Sequence, residues 1–103
     1  MDDLRIVGGR VLDPANGVDR LADVAVSNGR IRAVGDVGDV PARSVVRADG
    51  LLVTPGLVDM HTHVHAGGSF WGLEPDPIAW YTGVTTWVDA GSAGAFGLAA
   101  LLA

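Results

Sequence analysis

At Pro55-Gly56 the chain changes its hydrophobic pattern, and any fold has to accommodate both halves. Before this pair, apolar residues come in short β-type runs broken by turn residues. After it, Leu57-Val58-Asp59-Met60 is an almost continuous apolar run that leads straight into histidines. A strand buried on both faces reads in this way. The break therefore predicts a boundary, with residues 1–54 forming a small β domain and residues 55–103 opening an α/β domain.

Within the first half, residues 4–12 form the first run, and the pair Gly8-Gly9 inside it predicts a bulge or a close backbone approach. Asp13-Pro14 and Asn16-Gly17 end it in a turn. Residues 22–26 and 30–34 flank Asn28-Gly29, the dipeptide that best tolerates the positive φ angles of a type I′ hairpin. A looser stretch follows, then a run at 44–47, a turn at Asp49-Gly50 and a run at 51–54. These runs predict a small antiparallel sheet.

In the second half, Asp76 reads as an N-cap, Pro77 as the first helical residue and Gly83 as the stop after residues 78–82. Residues 84–88 read as a second buried strand. Strand, helix, strand is a βαβ unit, which implies parallel pairing and a right-handed crossover. The apolar stretch 95–103 runs to the last residue with no capping glycine, as a chain cut inside a helix would.

Composition excludes several functions. The chain has no Cys, so disulfides, thiolate nucleophiles and Cys-type zinc sites are absent together. Its seven basic residues are all Arg, scattered through a chain of net charge -5, which argues against a nucleic-acid partner. Asp2 and Asp3 carry the wrong charge for a signal peptide, and no apolar stretch approaches the ~20 residues of a membrane span. A cytoplasmic protein is the expectation.

All three histidines, His61, His63 and His65, fall at the end of the first buried strand. Strand residues two apart share a face, so His61 and His63 are expected side by side with Asp59 beneath them. Parallel α/β folds place their sites beyond the carboxyl ends of strands, and neutral imidazole there suits Zn2+ and other transition metals. His61 and His63 are therefore the candidate metal ligands. For an isolated alternating pair, polar lining or surface would be the better reading; the strand and the Pro-Gly break before it favour the metal. His65 lies past the strand end, where it either reaches substrate or, the reading we favour, faces solvent. Asp59 either orients metal-bound imidazoles by accepting a ring N–H or serves as a local cap, and Asp89 at the end of the second strand has the same two readings.

The segment PGLVDMHTHV, residues 55–64, resembles the first barrel strand of the amidohydrolase superfamily, whose His-x-His pair binds the first metal. Upstream, LRIVGGRVLDPANGVDRLADVAVSNGRIRAVG resembles the small β-sandwich that precedes the barrel in that superfamily, and ADGLLVTPG resembles the link between them. Gly67-Gly68 and GVTTWVDAGSAG are similar to the deacetylase-like group, which hydrolyses N-acyl or O-acyl bonds of small acids. Dihydroorotases carry an Arg two residues after the second His, where this chain has His65.

The resemblance implies a β-sandwich segment followed by the first βαβ of a TIM (β/α)8 barrel, incomplete because a whole barrel takes about 250 residues. It implies that His61 and His63 hold one ion of a one- or two-metal zinc site that activates water for attack on an acyl carbon. The family's carboxylated Lys or Glu, two further His and late Asp come from later strands. This chain has no Lys, and its one Glu, Glu74, falls in a loop, so the general base is expected beyond residue 103. The implied partner is a small acylated molecule, and self-association through exposed barrel strands is expected. Two other readings stand: a dihydroorotase- or hydantoinase-like cyclic amidohydrolase, and a non-catalytic β-sandwich module with a vestigial His pair.

Overall fold

The glycine pair at 8–9 organises the first half of the molecule. In the computed structural model, which describes Met1–Ala103, β1 (Asp2–Asp13) pairs antiparallel with β2 (Val18–Ser27), and the register slips between Ile6 and Gly9. Gly8 turns the bulge with a φ of 75°, a conformation that favours glycine, and its N–H donates to Asp23 Oδ1 at 3.0 Å. Gly9 admits a close neighbour: a Cβ there would lie 2.5 Å from Val53 Cγ2 and 3.0 Å from Ala48 Cβ. Both readings of the pair hold, bulge and close approach.

The hairpin forms as the sequence requires. β2 pairs with β3 (Arg30–Gly35), and Asn28 and Gly29 adopt φ of 53° and 68° between Ser27 and Arg30. A second irregularity follows: Ala25 faces Ala33 and Val26 faces Ile31, which leaves Arg32 as the extra residue on β3. Its guanidinium makes two 2.8 Å bonds to Asp2, whose side chain is 1% exposed, and donates to the Val37 carbonyl at 2.8 Å. The beginning of β1 is thus fastened to β3 and to the loop after it.

The sheet is not purely antiparallel, as the runs predicted. β4 (Ala42–Arg47) pairs parallel with β1 from Asp2↔Ala42 to Val7↔Arg47, and β5 (Leu52–Val53) pairs parallel with it at Arg10 and Val11. The order is β3-β2-β1-β4, with β5 also on β1. The cause lies in residues 36–41. Instead of turning back beside β3, they carry the chain across to the free side of β1, and a crossing of that kind yields parallel strands. β4 and β5 are in effect one strand, interrupted at the turn 48–51 opposite the Gly8-Gly9 bulge, where Ala48 N–H donates to Val7 O and Arg10 N–H to Leu51 O. Where a β-sandwich segment was expected, these residues form a single five-stranded sheet. Its buried apolar side chains are Val11, Val24, Ala25, Val37 and Ala48.

The Arg32 hydrogen bonds hold the Asp2 carboxyl below its usual range, against the effect of burial, with Arg5 adding a weaker pull. A depressed folded pKa contributes stability that is present above the unfolded value and is lost as pH falls through the folded one. Acid titration followed by circular dichroism should therefore show a loss of stability beginning near pH ~4. Asp2→Asn should be less stable at neutral pH and should flatten that limb; an unchanged acid profile would separate the limb from Asp2.

The chain divides into two compact units, Met1–Pro55 and Gly56–Ala103. In the second, β6 (Leu57–Thr62) and β7 (Val84–Asp89) pair in parallel, as expected, joined through α1 (Asp76–Thr82). Gly83 ends α1 at a φ of 72°, its N–H donating to Ala79 O at 3.0 Å. The start of the helix differs from expectation. Asp76 lies inside the first turn and not at the cap, because the Pro75 carbonyl already accepts from Ile78 and Ala79 N–H, both at 3.0 Å. Nor are the two strands buried on both faces. Leu57, Val58 and Val88 are about half exposed and Met60 is 78% exposed, since one short helix covers a two-stranded sheet only in part. α2 (Gly94–Leu101) leaves Phe96 and Leu98 exposed. No helix is long and apolar enough to cross a membrane.

Candidate functional site

The ends of β6 and β7 are held by three hydrogen bonds, two across the pair and one within the loop after β7. Ala90 N–H donates to Thr62 O at 2.7 Å, and the Asp89 carboxylate accepts from Val64 N–H at 2.9 Å and from Ser92 N–H at 2.6 Å. Asp89 thus clamps two loops, and it touches neither candidate ring through these bonds. Burial opposes its ionisation, but the N–H groups of Val64, Ser92 and Gly91 and the Ser92 hydroxyl outweigh that and hold its pKa below the usual carboxylate range.

On this clamp His61 and His63 stand together, ring centroids 5.8 Å apart and planes at 80°. His61 ends the exposed part of β6, and His63 lies one residue beyond the strand, partly buried. His63 Nδ1 is 2.7 Å from Ser92 Oγ. Asp59 accepts the His61 backbone N–H at 3.1 Å, which is the local-cap geometry and not contact with a ring nitrogen. His63 also lines a hollow of about 380 Å3 with Asp59, Trp71, Leu73, Ile78 and Trp87. That is within the ~300–1,000 Å3 of small-molecule sites.

His65 does not face solvent as expected. Its ring lies so close to Gly68 that a Cβ there would fall 2.1 Å from Nε2, and its Nδ1 is buried without a partner. Gly67, at a φ of 72°, turns the chain back over the ring, and Gly68 lets the backbone approach it. Glu74 sits exposed in the loop before α1. Ser92 is the residue that sequence reasoning missed. The signal was its place three residues past Asp89, which pairs with Thr62 and so brings that loop beside His63.

No third His, Cys, Asp or Glu joins the pair in a metal-holding cluster. The donor chemistry of the two nonetheless suits an ion: both are imidazoles on one side of a strand end, and neither ring is consumed by a carboxylate.

No family model matches the chain. Among curated proteins it is 50% identical over 66 residues to the dihydroorotase of Geobacter sulfurreducens, a match covering 63% of this chain and 16% of that protein. It is 44% identical over 61 residues to the D-aminoacylase of Alcaligenes xylosoxydans xylosoxydans, covering 59% and 13%. A D-aminoacylase crystal structure described as defining a subset of amidohydrolases matches at a TM-score of 0.57 and 43% identity, over 63% of this chain and 14% of that one. Over these residues the chain is similar to the amino-terminal part of amidohydrolase-superfamily enzymes. It spans about a sixth of the length of the curated relatives it matches. Two further amidohydrolase-like structures cover more of it: N-acyl-D-glutamate deacylase from Bordetella bronchiseptica, solved with zinc and a phosphonate inhibitor (TM-score 0.67, 35% identity, 90% of this chain and 20% of that one), and an adenine deaminase (TM-score 0.80, 27% identity, 99% and 27%). Divalent metal is thus part of the chemistry of its structural neighbours.

Proposed function

We propose that this chain forms the β-rich amino-terminal domain and the first strand–helix–strand of the (β/α)8 barrel of a metal-dependent hydrolase acting on carbon–nitrogen bonds, with His61 and His63 as ligands of one divalent ion, zinc in the first instance. The observation that carries it is the imidazole pair at the carboxyl end of a parallel strand, braced from the neighbouring strand by Ser92 and Asp89. When bound, the ion would supply a Lewis acid beside the acyl group and lower the pKa of water. The protein's own contribution here is to fix the two rings, and to offer an apolar hollow next to His63.

For the substrate we favour a small N-acyl acid. The likeness to D-aminoacylase and to N-acyl-D-glutamate deacylase supports it, and so does His65, whose ring is tucked against Gly68 where a dihydroorotase would present an Arg. The 50% identity to a dihydroorotase favours a second reading, a cyclic amide. Turnover of N-acetyl-D-amino acids against dihydroorotate by the complete gene product separates the two.

Metal binding is testable on the 103-residue chain. Zinc titration by calorimetry should give weak one-to-one binding that His61→Ala and His63→Ala each abolish, because two ligands cannot lose one and still chelate. Binding unaffected by either substitution would remove the metal reading and leave the pair as polar lining.

A further inference from the structure

Deepening the metal reading, on which it rests, we infer that Ser92 is a positioning residue that sets the tautomer of His63. The imidazole has two nitrogens, and in the neutral ring one carries the proton while the other keeps the lone pair that can ligate a metal. His63 Nδ1 is 2.7 Å from Ser92 Oγ, and this contact is partly shielded from water. With the hydroxyl oxygen accepting from Nδ1–H, the proton is held at Nδ1 and the lone pair is left on Nε2.

The hydroxyl is held for this purpose from the backbone outward. Ser92 N–H is fixed by Asp89 Oδ1, the other oxygen of that carboxylate holds Val64 N–H next to His63, and Ala90 N–H holds Thr62 O on its other side. The two residues flanking His63 and the residue that faces its ring are therefore positioned by the same short stretch, 89–92. A bond between side chains 29 positions apart becomes as reproducible as one within a turn. His61 has no such partner through its ring; its one bond here is backbone N–H to Asp59. The inference is that His63 is the pre-oriented ligand of the pair and His61 the adaptable one.

Partners that orient metal-bound histidines typically contribute 10–100-fold to metal affinity. The test uses the 103-residue chain. Long-range nitrogen–proton NMR correlations of the zinc-free protein should show His63 as the Nδ1–H tautomer in the wild type and a shift toward Nε2–H in Ser92→Ala, with Ser92→Thr restoring the wild-type pattern. Zinc affinity should fall about tenfold or more in Ser92→Ala and recover in Ser92→Thr. Amide spectra report whether Ser92→Ala keeps the fold; if it does not, the wild-type tautomer and the Ser92→Thr variant decide alone. His63 found as Nε2–H in the wild type, or an unchanged tautomer in a folded Ser92→Ala, would overturn the inference while leaving zinc binding by the pair intact. Zinc affinity unchanged in His63→Ala would instead overturn the metal reading beneath it.

Discussion

Purified as the 103-residue chain, the protein is expected to turn over no N-acetyl amino acid measurably, with zinc present or absent. A catalytic zinc typically has three protein ligands and one water. Here His61 and His63 are the pair available, and no third His, Cys, Asp or Glu is placed with them. Of the carboxylates near the strand ends, Asp59 accepts the His61 backbone N–H and Asp89 accepts from Val64 and Ser92, and neither is bonded to a histidine ring. Glu74 lies exposed before α1, and the chain contains no Lys. Catalytic groups that work as a unit leave no proportional remainder when most are missing. Since enzymes gain roughly six or more orders of magnitude over the uncatalysed reaction, the expected effect is the whole of that gain. Robust metal-dependent turnover by this chain, lost in His61→Ala, would show that a different ligand set exists in it.

Local chemistry was legible in the sequence where it is dictated by backbone conformation. Asn28-Gly29, Gly8-Gly9 and Gly83 each adopt the positive φ or bulge their residue types demand. The parallel pairing of β6 with β7 followed from strand, helix, strand. What escaped is long range. Nothing in residues 36–41 announces that they cross to the far side of β1 and not back along β3, because the choice rests on Arg32 and Arg5 gripping Asp2 and the loop carbonyls of Val37 and Gly38. Two of these contacts, Arg32 to Asp2 and Arg5 to Gly38, join residues 30 and 33 positions apart, beyond any local pattern.

The site divides in the same way. Alternation on a strand is enough to bring His61 and His63 together, and the pair is found together. Ser92 could not be ranked above the other small residues of GSAG until the register of β6 on β7 fixed which loop faces His63. His65 was misjudged because exposure past a strand end is only a tendency, and two glycines in succession let the chain fold back over the ring. Burial was overestimated in the second unit: an apolar run records what a strand is suited to pack against, and Leu57, Val58 and Met60 remain exposed.

Gly9→Val is expected to destabilise the first unit by about 3 kcal/mol, at the upper end of the usual cost of overpacking a filled core. The position differs from Gly8, whose positive φ would strain any side chain. At Gly9 the obstacle is space. A Cβ alone would sit 2.5 Å from Val53 Cγ2 and 3.0 Å from Ala48 Cβ, and the two extra methyls of valine have to go further. Ala48 is buried and its N–H is bonded to Val7 O, so it cannot retreat without breaking the seam between β1 and the turn before β5. Val53 can move only by pulling away from Val11, its partner in the parallel pair and itself in the core. A domain of this size starts near the lower end of the ~5–15 kcal/mol typical of folded proteins, so this loss is a large fraction of what it has. Urea unfolding should give a midpoint markedly lower than wild type with a similar slope. Gly9→Ala should fall between the two. The double substitution of Gly9→Ala with Val53→Ala should recover part of the loss, because it removes the methyl that the new Cβ meets. A Gly9→Val midpoint equal to wild type would mean that the seam can open, and that β5 is not held against β1 as the close approach requires.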